Sequence, residues 1–244
     1  MCIRDSPYIL GISGGAAVGA LSAILLGAGS VFLTNAAFAG ALFSILLVFG
    51  IANKFGQWSV TRLLLTGVVI SAGWGAVINI LLTTSSTNNV QSMLFWLMGD
   101  LSQSQVHLGH CILLAAGLAG GLIISRSLNV LSRGELFAQV LGVNLGMLRI
   151  TLYFSASVFT ATAVTIAGSV GFVGLVIPHI LRLLGARDHR ILLPCSILLG
   201  GSFLVIADSL ARTIIAPQQL PVGVITAVIG VPSFIIILRS TITK

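Results

Sequence analysis

Ser13 stands in Gly11-Ile12-Ser13-Gly14-Gly15, the spacing of a serine nucleophile on a G-x-S-x-G elbow. That elbow needs a strand before it and a helix after it in an α/β sheet, whereas here the pattern opens an apolar run. A membrane enzyme built around Ser13 would also need a base and an oxyanion site at the same surface. Cys2, Cys111 and Cys195 have no paired or metal-like spacing and read as small core residues. His179, in Ile177-Pro178-His179-Ile180, and His189, in Ala186-Arg187-Asp188-His189-Arg190, lack further ligands at helical spacing. They read as hydrogen-bonded interfacial side chains, and no metal site is expected. The only lysines, Lys54 and Lys244, do not follow a Gly-rich turn, so no phosphate-binding loop is present and the chain does not hydrolyse ATP by itself. No catalytic residue and no cofactor is expected.

Ionisable groups at mid-membrane depth would mark a proton- or ion-coupled carrier, because charge there is costly. None is found. Asp100 falls in an outer gap, Glu135 and Asp188 in inner gaps, and Asp208 within about one turn of the outer end of its span. The spans do carry Ser13, Thr66, Ser71, Asn79, Thr160, Thr162 and Thr165, enough for a weakly polar pathway. Ser71, Asn79, Thr162 and Thr165 are the candidates to line it. A transporter without its own coupling residues needs an external motor.

The elements that carry these residues follow from composition. The chain has 244 residues, 57% hydrophobic and 7% charged, with a mean hydropathy of +1.12. Soluble domains run at roughly a quarter charged, so no soluble surface can be built from this supply. Crossing roughly 30 Å of hydrocarbon takes about 20 apolar residues. The sequence offers eight such stretches, two of them short: 9–29, 31–52, 63–84, 107–125, 150–168, 172–184, 191–211 and 222–238. The expected fold is an all-α, polytopic transmembrane bundle. Of the 12 Lys and Arg residues, all but Arg212 fall in alternate gaps that share one membrane face, or, for Arg182, just before one. That bias fixes the orientation, with both ends of the chain as written in the cytoplasm. The net charge of +7 is therefore orientation charge spread singly over helix ends, and no nucleic-acid partner is expected.

Two gaps are more than turns. On the outer side, residues 88–101 carry Met93, Leu94, Phe95, Trp96, Leu97 and Met98 among polar residues, which fits a short interfacial helix with Trp96 at headgroup level. On the inner side, Arg133-Gly134-Glu135-Leu136-Phe137-Ala138-Gln139-Val140-Leu141-Gly142 reads as a short amphipathic helix ended by glycine, which a cytoplasmic partner can grip. Gly11, Gly15 and Gly19, and Gly168, Gly171 and Gly174, are spaced for close helix packing in lipid. Pro178 and Pro232 imply kinks or broken helices.

Residues 168–182 (Gly-Ser-Val-Gly-Phe-Val-Gly-Leu-Val-Ile-Pro-His-Ile-Leu-Arg), then Asp188-His189-Arg190 and Leu193-Pro194, Ala207-Asp208-Ser209-Leu210-Ala211-Arg212, and Leu220-Pro221-Val222-Gly223-Val224-Ile225-Thr226 resemble the carboxyl half of the permease subunit of ABC importers for iron-siderophores and cobalamin. Pro7-Tyr8-Ile9-Leu10-Gly11, Leu63-Leu64-Leu65-Thr66-Gly67-Val68, Phe95-Trp96-Leu97-Met98-Gly99 and Leu141-Gly142-Val143-Asn144 resemble further landmarks of that family in the same order. The resemblance runs from Pro7 to Arg239, leaving residues 1–6 as a start foreign to it and 7–244 as one transmembrane domain.

The resemblance implies a ten-helix, multi-pass subunit of the bacterial inner membrane that is not itself an enzyme. It would pair with a copy of itself around a central pathway. A cytoplasmic ATPase dimer would drive it, and a periplasmic or lipid-anchored binding protein would deliver the ligand. Residues 127–148 match the coupling region that docks on the ATPases, with Glu135, Leu136, Phe137, Ala138, Gln139, Val140, Leu141 and Gly142 as its working segment. Arg212 matches an arginine that receives an acidic side chain of the binding protein, although it could simply pair with Asp208 one turn earlier. Members of the family carry two more helices before the position of Pro7, so the chain is expected to be incomplete at its front. An iron(III)-siderophore is the expected cargo, with cobalamin or haem as alternatives. A secondary carrier would instead require a mid-span ionisable residue and an inverted repeat.

Overall fold

The computed structural model describes residues 11–53, 60–102 and 108–242, and for residues 53, 60 and 236–242 the helical backbone alone. The sequence readings on Cys2, Pro7 to Leu10, Lys54, His107 and Lys244 lie outside the described residues. Among the described residues the regular elements are ten α-helices: α1 (Ile12–Leu25), α2 (Ser30–Asn53), α3 (Val60–Thr84), α4 (Thr87–Met98), α5 (Leu108–Leu131), α6 (Glu135–Val140), α7 (Leu145–Ala167), α8 (Val173–Leu183), α9 (His189–Thr213) and α10 (Val222–Ile242). Each apolar stretch contains a helix, and α4 and α6 occupy the outer and inner gaps where short helices are expected.

Five helices are long and apolar enough to cross a membrane: α2, α3, α5, α7 and α9. α1 has 14 residues and α8 has 11. At about 1.5 Å per residue neither covers the hydrocarbon thickness by itself. In contrast, α5 runs six residues past the expected end at Ser125, and α7 starts five residues before Ile150. Hydropathy marks where lipid ends, but the backbone hydrogen-bond ladder continues beyond it, and Arg126 and Arg149 extend these helices toward water. α8, α9 and α10 continue through Pro178, Pro194 and Pro232, each giving up one intrahelical donor without ending the helix.

The chain forms two compact units. One comprises Met1–Gln105 and Ala156–Val170, the other Val106–Ser155 and Gly171–Lys244. The helix α7 contributes to both.

In the first unit, α1 packs on α2 through glycine. A Cβ at Gly15 would lie 2.5 Å from the Gly40 carbonyl oxygen and 2.6 Å from Ser44 Cβ, a separation that only a residue without a side chain permits. Ile12, Ala16, Ala20 and Leu21 of α1 and Ala37, Ala41, Ile45 and Val48 of α2 are buried along the crossing. A polar relay ties in α3: Trp74 Nε1–H donates to Ser44 Oγ at 3.0 Å, and Ser44 Oγ–H donates to the Gly11 carbonyl at 2.8 Å. This satisfies a half-buried indole and a buried hydroxyl with one another. α4 buries Met93 and ends at Gly99, which lies close against Gly168, while the Asp100 N–H donates to the Ala167 carbonyl at 3.0 Å.

In the second unit, α8 and α9 share a core of Ile177, Leu181 and Leu192, lined by Val173, Ala186, Cys195 and Phe203. Phe172, at φ 67°, starts α8 and lies against Gly230 of α10.

Candidate functional site

The segment between α5 and α7, expected on the inner face, is anchored at both ends by hydrogen bonds and an ion pair. Arg133 and Gly134 make the turn out of α5, and Glu135 opens α6. The end of α6 closes through two backbone bonds, Gly142 N–H to the Gln139 carbonyl at 2.9 Å and Val143 N–H to the Ala138 carbonyl at 3.0 Å. Their pattern is a Schellman motif, and it requires the left-handed φ of 77° that Gly142 adopts. Asn144 then caps α7, its Oδ1 accepting from the Met147 N–H at 3.1 Å. The Glu135 carboxylate is held at 2.7 Å by Arg149 of α7.

This frame sorts the segment's side chains. Ala138 is fully buried against the chain, so it seats α6 and cannot touch a partner. Leu136 and Val140, one turn apart, are 81% and 85% exposed, with Phe137 and Leu141 beside them at 46% and 56%. Gln139 is exposed. The segment thus carries an exposed apolar tip. Glu135 is tied back to α7 by its ion pair with Arg149. Arg149 was not singled out in the sequence, because its partner lies 14 residues away across a loop.

Arg212, expected on the outer face, is in the last turn of α9 and exposed. Its Nε–H donates to Asp208 Oδ2 at 2.8 Å, the i,i+4 pair that the spacing allows. The pathway candidates all fall in the first unit. Asn79 is exposed on α3, and Ser71 is half-buried with its hydroxyl enclosed and unpaired. Thr162 and Thr165 of α7 donate to the Val158 and Ala161 carbonyls of their own helix, and Thr165 is buried. Ser13 is buried in the first turn of α1.

The sequence also missed a polar clasp at the inner end of the second unit. Asn129 of α5 donates through Nδ2 to Asp188 Oδ1 at 2.7 Å, and its Oδ1 accepts from the His189 N–H at 3.0 Å. Asp188 caps α9 by accepting from the Arg190 N–H at 2.9 Å. That backbone bond, followed by the bond from Asn129, holds its carboxyl below the usual carboxylate value. The cap was legible as an Asp before an apolar run; the partner, 59 residues away, was not.

A family model described as the FecCD transport family matches residues 5–240. The cobalamin import system permease protein BtuC of Halobacterium salinarum is 44% identical over 236 residues, which are 96% of this chain and 63% of that protein. An uncharacterised ABC transporter permease protein of Bacillus subtilis, YvrB, is 40% identical over 244 residues, 95% of this chain and 68% of that one. The vitamin B12 import system permease protein BtuC of Escherichia coli O127:H6 is 39% identical over 237 residues, 94% and 71%. A solved structure, an inward-facing ABC transporter assigned to the metal-chelate type, superposes with a TM-score of 0.85 at 31% identity over 96% of this chain and 76% of its own. The chain thus spans under two thirds of the halobacterial relative's length.

Proposed function

We infer a function from one premise: the chain belongs to the FecCD transport family, and it is a multi-pass protein of the bacterial inner membrane. It acts as the membrane-spanning permease of an ABC importer, moving a large metal chelate inward. Separate cytoplasmic ATPases power it, a binding protein outside supplies the cargo, and a second copy of the chain completes the pathway. The observation that carries this reading is the anchored segment 135–142 with its apolar tip. A short helix fixed at both ends transmits a rigid displacement from a partner to the spans without any covalent step. Leu136, Phe137, Val140 and Leu141 make the contact with the ATPase, while Glu135, Ala138 and Gly142 hold the helix in place and Gln139 lies at the rim. Arg212 receives an acidic group of the binding protein. Ser71, Asn79, Thr162 and Thr165 are the pathway candidates, neutral side chains suited to a bulky ligand that must not be held tightly.

Cobalamin comes first among cargoes, because relatives 44% and 39% identical bear the names of cobalamin and vitamin B12 permeases. An iron(III)-siderophore is the second reading, favoured by the likeness to a metal-chelate transporter. Uptake of labelled cobalamin and of a labelled ferric siderophore, compared in cells with and without the chain, separates the two. Loss of cobalamin uptake alone supports the first, and loss of siderophore uptake alone replaces it.

A further inference from the structure

A cavity of about 510 Å³ opens at the inner end of the second unit, lined by Leu122, Ile123, Arg126 and Arg190. Its two arginines come from different helices, Arg126 from α5 and Arg190 from the first turn of α9. Both are exposed, and neither has an ion-pair partner within 4 Å among the described residues. The nearby Asp188 carboxylate is already engaged by Asn129 and by the Arg190 backbone N–H. The Asn129 clasp joins α5 to α9 one turn beyond Arg126 and immediately before Arg190, so it fixes the spacing of the two guanidinium groups.

The apolar wall gives the cavity a direction. Leu122 is 39% exposed and Ile123 80% exposed. With the inner end of α5 at its carboxyl terminus, Leu122 lies about 6 Å deeper in the membrane than Arg126. Two cations at headgroup depth above an exposed aliphatic surface complement one kind of molecule, an anion with a hydrocarbon tail. Basic pockets between spans on the cytoplasmic side are suited to anionic headgroups, and guanidinium groups take phosphate oxygens in paired hydrogen bonds. We propose that this cavity seats an anionic phospholipid of the inner leaflet, its phosphate between Arg126 and Arg190 and the start of an acyl chain on Leu122 and Ile123.

The test measures lipid retained by the purified full chain, using mass spectrometry of the intact protein after exchange into mixtures of phosphatidylglycerol and phosphatidylcholine. The wild type retains phosphatidylglycerol preferentially. Arg126→Gln and Arg190→Gln each weaken that retention about fivefold, whereas Arg133→Gln, which removes the same charge elsewhere on the inner face, does not. Ile123→Asn weakens it too, because the tail loses its wall. Equal retention of the two lipids by the wild type overturns the proposal, and so does unchanged retention in the Arg126→Gln/Arg190→Gln double variant. Inorganic phosphate is the remaining arm: displacement of the lipid by millimolar phosphate assigns the cavity to a soluble anion and also overturns it. Should the arginine variants fail to fold, the wild-type preference and its response to phosphate decide the matter by themselves.

Discussion

The Arg149 guanidinium lies 2.7 Å from the Glu135 carboxylate, tying the first residue of α6 to the second turn of α7. The pair is part-exposed, with Arg149 at 26% and Glu135 at 53%, so its direct contribution to stability is at most about 1 kcal/mol. Its importance is geometric, because it couples the angle of α6 to the span behind it. Arg149→Glu should therefore reduce ATP-driven uptake strongly while shifting the melting temperature little. The double variant Glu135→Arg/Arg149→Glu should recover much of that uptake. No recovery in the double variant would show that the pair does not set the angle.

The apolar tip should be needed for partner contact and not for the fold. Burying one large apolar side chain contributes about 1.5 to 3 kcal/mol, and Leu136, Phe137 and Val140 are exposed in this chain. Phe137→Asp should thus uncouple transport and weaken co-purification with the ATPase by at least tenfold, with thermal stability in detergent unchanged. A variant that still assembles and transports normally would remove 135–142 from the coupling role.

Gly142 and Gly230 should fail for different reasons. A Cβ at Gly142 meets nothing within 4 Å, so Gly142→Ala is opposed only by the left-handed φ, about 1 to 2 kcal/mol, and Gly142→Asn should be milder. A Cβ at Gly230 would come 2.5 Å from Phe172 Cβ and 2.8 Å from its ring carbon Cγ, so Gly230→Ala should destabilise by about 1 to 3 kcal/mol through overpacking. Phe172→Gly, which removes both the Cβ and the ring, should relieve the overpacking at Gly230 and leave the strain at Gly142 unaffected, as thermal unfolding of the variants would reveal.

The sequence disclosed what depends on local pattern. Eight apolar stretches, the two short helices in the gaps and the glycine that ends α6 were all readable from composition and turn chemistry. So was the Asp208–Arg212 pair, because i,i+4 spacing places the two on one helix face. What escaped depends on long-range pairing: Asn129 reaches Asp188 and His189 across 59 and 60 positions, and no periodicity signals it. Helix ends escaped for another reason, since hydropathy locates the lipid boundary and not the last hydrogen bond. Pro178 and Pro232 stand inside helices that continue past them, because neighbouring structure can tolerate one lost donor without ending a helix.

Arg212 gives a salt-dependent prediction. Its bond to Asp208 at an exposed helix end contributes about 0.3 to 0.5 kcal/mol, so Arg212→Glu should hardly change stability. It should weaken binding-protein association at low ionic strength, with a smaller loss at high salt, because exposed charges are screened beyond about 10 Å at 0.1 M. Basal ATPase activity should survive. An unchanged affinity at low salt would leave Arg212 with only the intrahelical pair.

Asp188 sets a pH response. Its carboxyl is held below the ordinary value of 3.8, so the folded state favours the ionised form. The sign follows: its stabilisation is complete above the unfolded value and is lost as pH falls through the lower folded one. The melting difference between wild type and Asp188→Asn should be constant from about pH 5 to 8 and shrink only below the ordinary carboxylate range. A difference that changes near neutrality would point to another group.

The most direct measurement places the chain, its ATPase and its binding protein in liposomes and follows labelled cobalamin uptake under two energy sources. Uptake that requires ATP inside, requires the binding protein outside and ignores a proton gradient is the result expected of an ABC permease. Uptake that persists without ATP and follows the proton gradient would contradict that function and identify a secondary carrier instead.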